Sequence, residues 1–314
     1  MMSYGQLLLL ILPVFGLIGI GVWVRSAGWM TADADTSLLK MVVSCFYPCL
    51  VFESVLNNAA LRNPTNLAFA PLVGFGVMAA TILTALYAGR ALGLTWGYGL
   101  RTFAFATGIN NYGYIPILLM SSLFPTEGLG VLLVHNVGCE AAIWTVGILV
   151  LSGLSLREGW RKLINGPVIA LPLGVAGNLF NLGPEVPNVV IEVIHQCAVC
   201  SIPLGLILIG ATLEQYLRRP KELFEPRVSI SATLLRLGAF PIGILVIAKY
   251  LPCSLELKHV LVLQAAMPAG ILPLVIAKHY GGQPLTAVRV VIATTVVGVF
   301  LIPLWLRVGM AWIP

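Results

Sequence analysis

Apolar residues run through this chain in long stretches, separated by links of only a few polar residues. A helix needs about 20 apolar residues to cross a hydrocarbon core about 30 Å thick. Ten segments qualify, near 5–24, 37–57, 67–92, 99–122, 128–153, 166–181, 188–215, 228–251, 258–279 and 285–308. The sixth is the most interrupted, by Gly166, Pro167, Pro172, Gly174 and Gly177. The links are too short to hold a soluble domain. In the first segment no positive charge precedes the run from Leu7 to Val24, and Arg25 follows it. A secretory signal has the opposite charge order, so a retained membrane helix is expected. The pattern predicts an all-α membrane protein of ten transmembrane helices.

Composition agrees. Hydrophobic residues make up 59% of the 314 and charged residues 10%, against roughly 25% charged in a soluble domain. Lys and Arg outnumber Asp and Glu by 18 to 12. The positive charges sit singly or in small groups between apolar runs, which suits loops facing a cytoplasmic leaflet rather than a nucleic acid. With the N-terminus outside, the cytoplasmic links hold Arg25, Lys40, Arg90, Arg101, Arg157, Arg161, Lys162, Arg218, Arg219, Lys221, Arg227, Lys278 and Arg289. The outer links and tail hold Arg62, Lys249, Lys258 and Arg307, a balance of 13 to 4. Both termini are therefore expected outside the cytoplasm, in a plasma or inner membrane. Trp23, Trp29, Trp96, Trp160, Trp305 and Trp312 fall at predicted helix ends, where interfacial anchors belong, and Trp144 is expected mid-span.

The prolines repeat at about half the chain length. Leu12-Pro13 recurs as Leu171-Pro172, Pro48 as Pro203, and Gly113-Tyr114-Ile115-Pro116 as Gly270-Ile271-Leu272-Pro273, at offsets of 159, 155 and 157. Two halves result, 1–153 and 166–314, joined by a short cytoplasmic linker at 154–165. Five spans per half is an odd number, so the second half enters the membrane from the opposite face, as in inverted-repeat transporters. The fourth segment carries Asn110, Asn111, Gly113 and Pro116 near its middle; the ninth carries Gln264, Pro268 and Gly270. Proline removes a backbone donor and clashes with the preceding turn. A break at that depth is tolerated only where protein buries it or a wet cavity takes it up. Two breaks at equivalent places predict one central site, with half-helix N-termini presenting partial positive charge to an anion. Simple proline kinks are the alternative, but they leave the paired asparagines unexplained.

These residues resemble the auxin efflux carrier family, within the wider fold group of bile-acid:sodium symporters. The resemblance covers essentially the whole chain. It rests on the 5+5 layout, the Asn-Asn-Tyr-Gly-Tyr-Ile-Pro stretch at 110–116, the Gln-Ala-Ala-Met-Pro-Ala-Gly stretch at 264–270, and Leu206 to Leu213 in the seventh segment. It implies that the broken fourth and ninth helices cross and bind substrate where they meet. It also implies a scaffold of helices 1, 2, 6 and 7, a moving core of helices 3–5 and 8–10, and carriage of organic anions by an elevator-like movement. Asn111 and Pro268 match the family's polar and proline positions at the crossover. The large cytoplasmic loop of the plant members is absent here, so neither auxin nor regulation through that loop is implied. Short-loop members are associated with dicarboxylates such as malate or malonate.

Ionisable groups within spans cost about 2.5–3.5 kcal/mol each and need a reason. Glu140 lies about 13 residues into the fifth segment, about 20 Å at 1.5 Å per residue. Asn136, Glu140 and Trp144 share one helix face. Glu140 is the candidate proton carrier; a permanently protonated or paired structural glutamate is the alternative. Arg236 is expected either to neutralise Glu140 or to face an anionic substrate through its planar fork. Gln264 is placed to bond the substrate or an unwound carbonyl. Glu53 is expected to be partly hydrated near an outer end, and Glu214 to pair with Arg218 at i,i+4. Sodium coupling is the rival mechanism: Asn110, Asn111 and Gln264 offer amides, but neither broken segment contains a carboxylate.

The six cysteines read as small hydrophobes. Cys197-x-x-Cys200 beside His195 lacks a second pair in register, so no metal site is expected. His135 and His279 read as packing or boundary residues. The sequence lacks paired metal-binding aspartates in a span, H-E-x-x-H and G-x-S-x-G, so an intramembrane enzyme is not expected. The expectation is a secondary transporter, in the efflux direction, of a small organic anion. It needs no cofactor and no nucleic acid, its solvent is the lipid bilayer, and homodimerisation stays open. A receptor or structural role is the remaining alternative.

Overall fold

The computed structural model describes residues 2–95, 97, 99–124, 127–152 and 165–313. Nearly all of them are helical. We number the principal helices α1 (Tyr4–Ser26), α2 (Asp33–Leu56), α3 (Pro64–Ala91), α4 (Leu100–Gly108), α5 (Tyr114–Leu123), α6 (Glu127–Ser152), α7 (Gly166–Leu179), α8 (Asn188–Leu217), α9 (Pro226–Tyr250), α10 (Leu255–Ala266), α11 (Leu272–His279) and α12 (Pro284–Trp312). Seven of these, α1, α2, α3, α6, α8, α9 and α12, are long and apolar enough to cross a membrane. The apolar runs at 99–122 and 258–279 are each divided into two shorter helices, α4–α5 and α10–α11. The run at 166–181 is the 14-residue α7. Of the predicted linker at 154–165, residues 154–164, with Arg157, Trp160, Arg161 and Lys162, lie outside the described residues, as do Trp96 and the side chains of Lys278 and His279.

Helix starts follow their caps. Ser3 and Gln6 form a reciprocal capping box at α1, and the side chains of Asn63, Asn165 and Ser254 accept first-turn N–H groups of α3, α7 and α10. Each cap satisfies a donor that apolar surroundings would leave orphaned. The Arg25–Asp35 ion pair ties the end of α1 to the start of α2. Three π-helical turns interrupt long helices, at Val42–Phe46 in α2, Ile143–Gly147 in α6 and Leu235–Ala239 in α9. Two have an evident cause. Pro48 and Pro241 lack the N–H that would bond four residues back, into these turns, and the widened turn absorbs the misfit. The turn in α6 contains no proline.

Helices α1, α2, α7 and α8 pack chiefly on one another, while α3 to α6 and α9 to α12 form a second group. Small residues bring backbones together within each. A Cβ on Gly21 of α1 would lie 2.0 Å from the Ile207 carbonyl oxygen of α8, and one on Gly210 would lie 1.9 Å from that of Ile18. In the second group Gly138 of α6 faces the Pro71 carbonyl of α3, and Gly74 faces that of His135. Without water to drive helix association, such close backbone approach is how helices gain contact in lipid.

Candidate functional site

The site grows from the two interruptions, residues 109–113 and 267–271. Pro116 sits in the first turn of α5 and Pro273 in that of α11, positions where a missing N–H removes only a group the helix would not have bonded. Gly113 holds the cap position of α5. The two extended stretches then pair edge to edge. The Asn111 N–H donates to the Pro268 carbonyl at 2.8 Å and the Gly270 N–H to the Ile109 carbonyl at 3.0 Å. Together they make a single antiparallel bridge between Asn110 and Ala269. Gly270 fits because a Cβ there would meet the Asn110 carbonyl at 2.8 Å.

Side chains of neighbouring helices take up further backbone groups, as an unwound segment away from water requires. The Ala269 N–H donates to Thr294 Oγ1 of α12 at 3.1 Å. The Gly108 carbonyl, at the end of α4, accepts from Thr81 Oγ1 at 2.8 Å and from Arg236 Nη1 at 3.1 Å. Thr294→Val is expected to strand the buried Ala269 donor and destabilise the protein by about 1–3 kcal/mol. Thr294→Ser should restore most of that loss, measured as thermal unfolding in detergent.

A chain of polar side chains crosses this core. Asn110 Nδ2 donates to Gln264 Oε1 at 2.5 Å, and Gln264 Nε2 to Asn136 Oδ1 at 3.3 Å and to the Tyr112 carbonyl at 3.4 Å. Asn136 Nδ2 donates to the same carbonyl at 2.9 Å. The Tyr112 hydroxyl donates to Glu140 Oε1 at 2.5 Å, and Trp144 Nε1 to Glu140 Oε2 at 2.9 Å. Asn136, Glu140 and Trp144 thus act from one face of α6. Asn111 is half-buried, and among the described residues its side-chain amide takes no hydrogen bond.

Arg236 departs from one expectation. It makes no ion pair with Glu140 among the described residues; its guanidinium is 1% exposed, lies 5.1 Å from the Phe240 ring centre and bonds the Gly108 carbonyl. The π turn of α9 carries it to the end of α4, where the helix dipole favours a cation. Among the described residues its Nε and Nη2 have no hydrogen-bond partner. Arg236 borders a cavity of about 10 Å³ shared with Thr81, Asn110, His135, Cys139 and Gln264, room for about one water.

The structure therefore gathers Asn110, Asn111, Gln264, Pro268 and Gly270 at one crossing, reaches Glu140 through Tyr112, and sets Arg236 behind Gly108. Gly113 and Pro116 shape the start of α5. Thr81 and Thr294, whose only signal in the sequence is a hydroxyl inside an apolar helix, also join the site, as does Tyr112, whose hydroxyl finds Glu140 across helices. His135, expected as a packing or boundary residue, borders the cavity, and among the described residues its Nε2 has no hydrogen-bond partner. Elsewhere Glu214 pairs with Arg218 at 2.6 Å and accepts from Ser26. Glu53 pairs with His195 at 2.6 Å.

A family model described as membrane transport protein matches residues 7–158 and 150–306. An "uncharacterized transporter" of Methanothermobacter thermautotrophicus is 25% identical over 304 residues, covering 94% of this chain and 96% of that protein.

Proposed function

Because the chain belongs to the membrane transport protein family, and is on that ground a transporter rather than an enzyme, we propose that it is a secondary carrier of small organic anions. In this reading the chain is a ten-span protein of two inverted five-span repeats, close to the auxin efflux carriers, with both termini outside the cytoplasm. Substrate binds where the broken helices cross. The group of α3 to α6 and α9 to α12 moves as an elevator against α1, α2, α7 and α8, and export is linked to protons.

The observation that carries this reading is the mutual pairing of the two breaks at Asn110 and Ala269. That bridge sets the N-termini of α5 and α11 on either side of one point. An anion is the ligand such a point suits. The Asn111 amide is the free side-chain donor beside it, and a carboxylate is the anion that amide and backbone N–H groups hold without a metal. Arg236 adds positive charge from behind Gly108 rather than as a direct ligand.

Glu140 supports proton linkage. No Lys, Arg or His side chain pairs with it among the described residues, and its two oxygens accept from Tyr112 and Trp144. Those donors occupy directions that a hard cation would otherwise use. A proton is then the counter-charge that lets the group cross low dielectric. Tyr112 joins it to the crossing, so occupancy of the site and protonation of Glu140 can be coupled.

Asn111→Ala tests the location of the site. The backbone N–H that pairs with Pro268 is retained, so the protein should stay folded and monodisperse. Counterflow of radiolabelled malate or malonate in proteoliposomes should fall at least about 10-fold, as the loss of a hydrogen bond to a charged group predicts. Unchanged counterflow would move the site away from the crossing.

A further inference from the structure

Helices α2 and α8 carry a second cluster, remote in sequence from the crossing. Cys45, Cys49 and Cys197 are free thiols whose sulfur atoms all lie within 4.8 Å of one another. Cys45 and Cys49 stand four residues apart on α2 and share a face. Cys45 falls within the π turn at Val42–Phe46, and Cys197 comes from the facing α8. One further turn along α2, Glu53 is held by His195 of α8, so the same seam is fixed on the side toward Leu56. Cys49 lies seven residues from Leu56, the end of α2, or about 10 Å along the axis. Cys45 is exposed at the surface of the helix pair, and the other two are half-buried.

Three sulfurs bonded to one pyramidal centre at about 2.3 Å stand roughly 3.5 Å apart, so small side-chain rotations would close the set. The choice of centre follows from charge. Three thiolates around a divalent metal carry a net −1, and around Cu(I) a net −2. Within a helix apolar enough to cross a membrane, either complex meets the cost of a charge in hydrocarbon. A trivalent centre leaves none. Trivalent metalloids also exist in water near neutral pH as uncharged trihydroxides, which can reach a site within the bilayer.

We propose that Cys45, Cys49 and Cys197 form a binding site for a trivalent thiophilic metalloid of the arsenic type. Three S–H and three metalloid–oxygen bonds break; three metalloid–sulfur bonds form and three waters leave. The centre stays trivalent and no electrons are exchanged. The bound centre clamps α2 to α8 and leaves the crossing untouched.

The test uses the full chain, purified reduced in detergent and incubated with sodium arsenite. After desalting, elemental analysis should find one arsenic per chain. Maleimide labelling followed by peptide mass spectrometry should show Cys45, Cys49 and Cys197 protected while Cys200 and Cys253 label as before. Cys49→Ser should weaken retention of arsenic at least tenfold, whereas Cys200→Ser should bind as the parent does. Absence of arsenic, protection of only two of the three cysteines, or equal loss in the Cys200→Ser protein would overturn the proposal. The labelling of the unsubstituted protein decides the question even if Cys49→Ser fails to fold.

Discussion

Gly138→Val is expected to prevent recovery of folded protein. The Cβ alone would stand 1.8 Å from the Pro71 carbonyl oxygen and 2.8 Å from the Phe75 nitrogen. Both obstacles are backbone, so no side-chain rotation relieves them, and α3 and α6 must separate. The reciprocal contact of Gly74 with the His135 carbonyl is lost in the same displacement. Ordinary overpacking costs about 1–3 kcal/mol; parting two helices along a shared seam exceeds that and consumes much of a total stability of about 5–15 kcal/mol. Gly76 is the control, since nothing lies within 4 Å of a Cβ built there, and Gly76→Val should purify normally. Size-exclusion profiles and thermal unfolding in detergent read the contrast. Normal recovery of Gly138→Val would mean that the α3–α6 seam is looser than this geometry.

Glu140→Gln should uncouple transport from the proton gradient while sparing exchange. The amide oxygen can still accept from one neighbour, and the Tyr112 hydroxyl can turn to accept from the amide nitrogen, so the shape of the site is conserved. What is lost is the ability to gain and release a proton. Accumulation driven by an imposed pH difference should fall at least tenfold, with counterflow near the parent rate. Tyr112→Phe, which removes only the connecting hydroxyl, should keep pH dependence but weaken it. Undiminished pH-driven accumulation in Glu140→Gln would return Glu140 to a structural role.

Helix positions were legible from the apolar runs alone, because lipid imposes one requirement on every span. The interruptions near Asn110 and Pro268 were legible as well, since Gly and Pro at mid-depth leave backbone groups that must go somewhere. So was the shared face of Asn136, Glu140 and Trp144, which helical geometry sets within one element. Contacts between helices were not. Arg236 lies 128 residues from Gly108, and no periodicity says which carbonyl it will bond; charge pairing alone pointed to Glu140. Thr81 and Thr294 look like ordinary small polar residues until the unwound backbone beside them is seen. The pairing of Glu53 with His195 and the gathering of Cys197 with Cys45 and Cys49 depend on how α2 lies along α8. Cys197 has no second ligand pair in register on its own helix; its neighbours Cys45 and Cys49 come from α2.

The most direct measurement is accumulation of radiolabelled malate, malonate and indole acetate by proteoliposomes under imposed pH or sodium gradients. Proton-linked carriage at the crossing requires that at least one of these carboxylates accumulates with the pH gradient, indifferent to sodium, and that this accumulation is lost in Asn111→Ala. Accumulation that follows sodium and ignores pH, or that persists undiminished in Asn111→Ala, would contradict it.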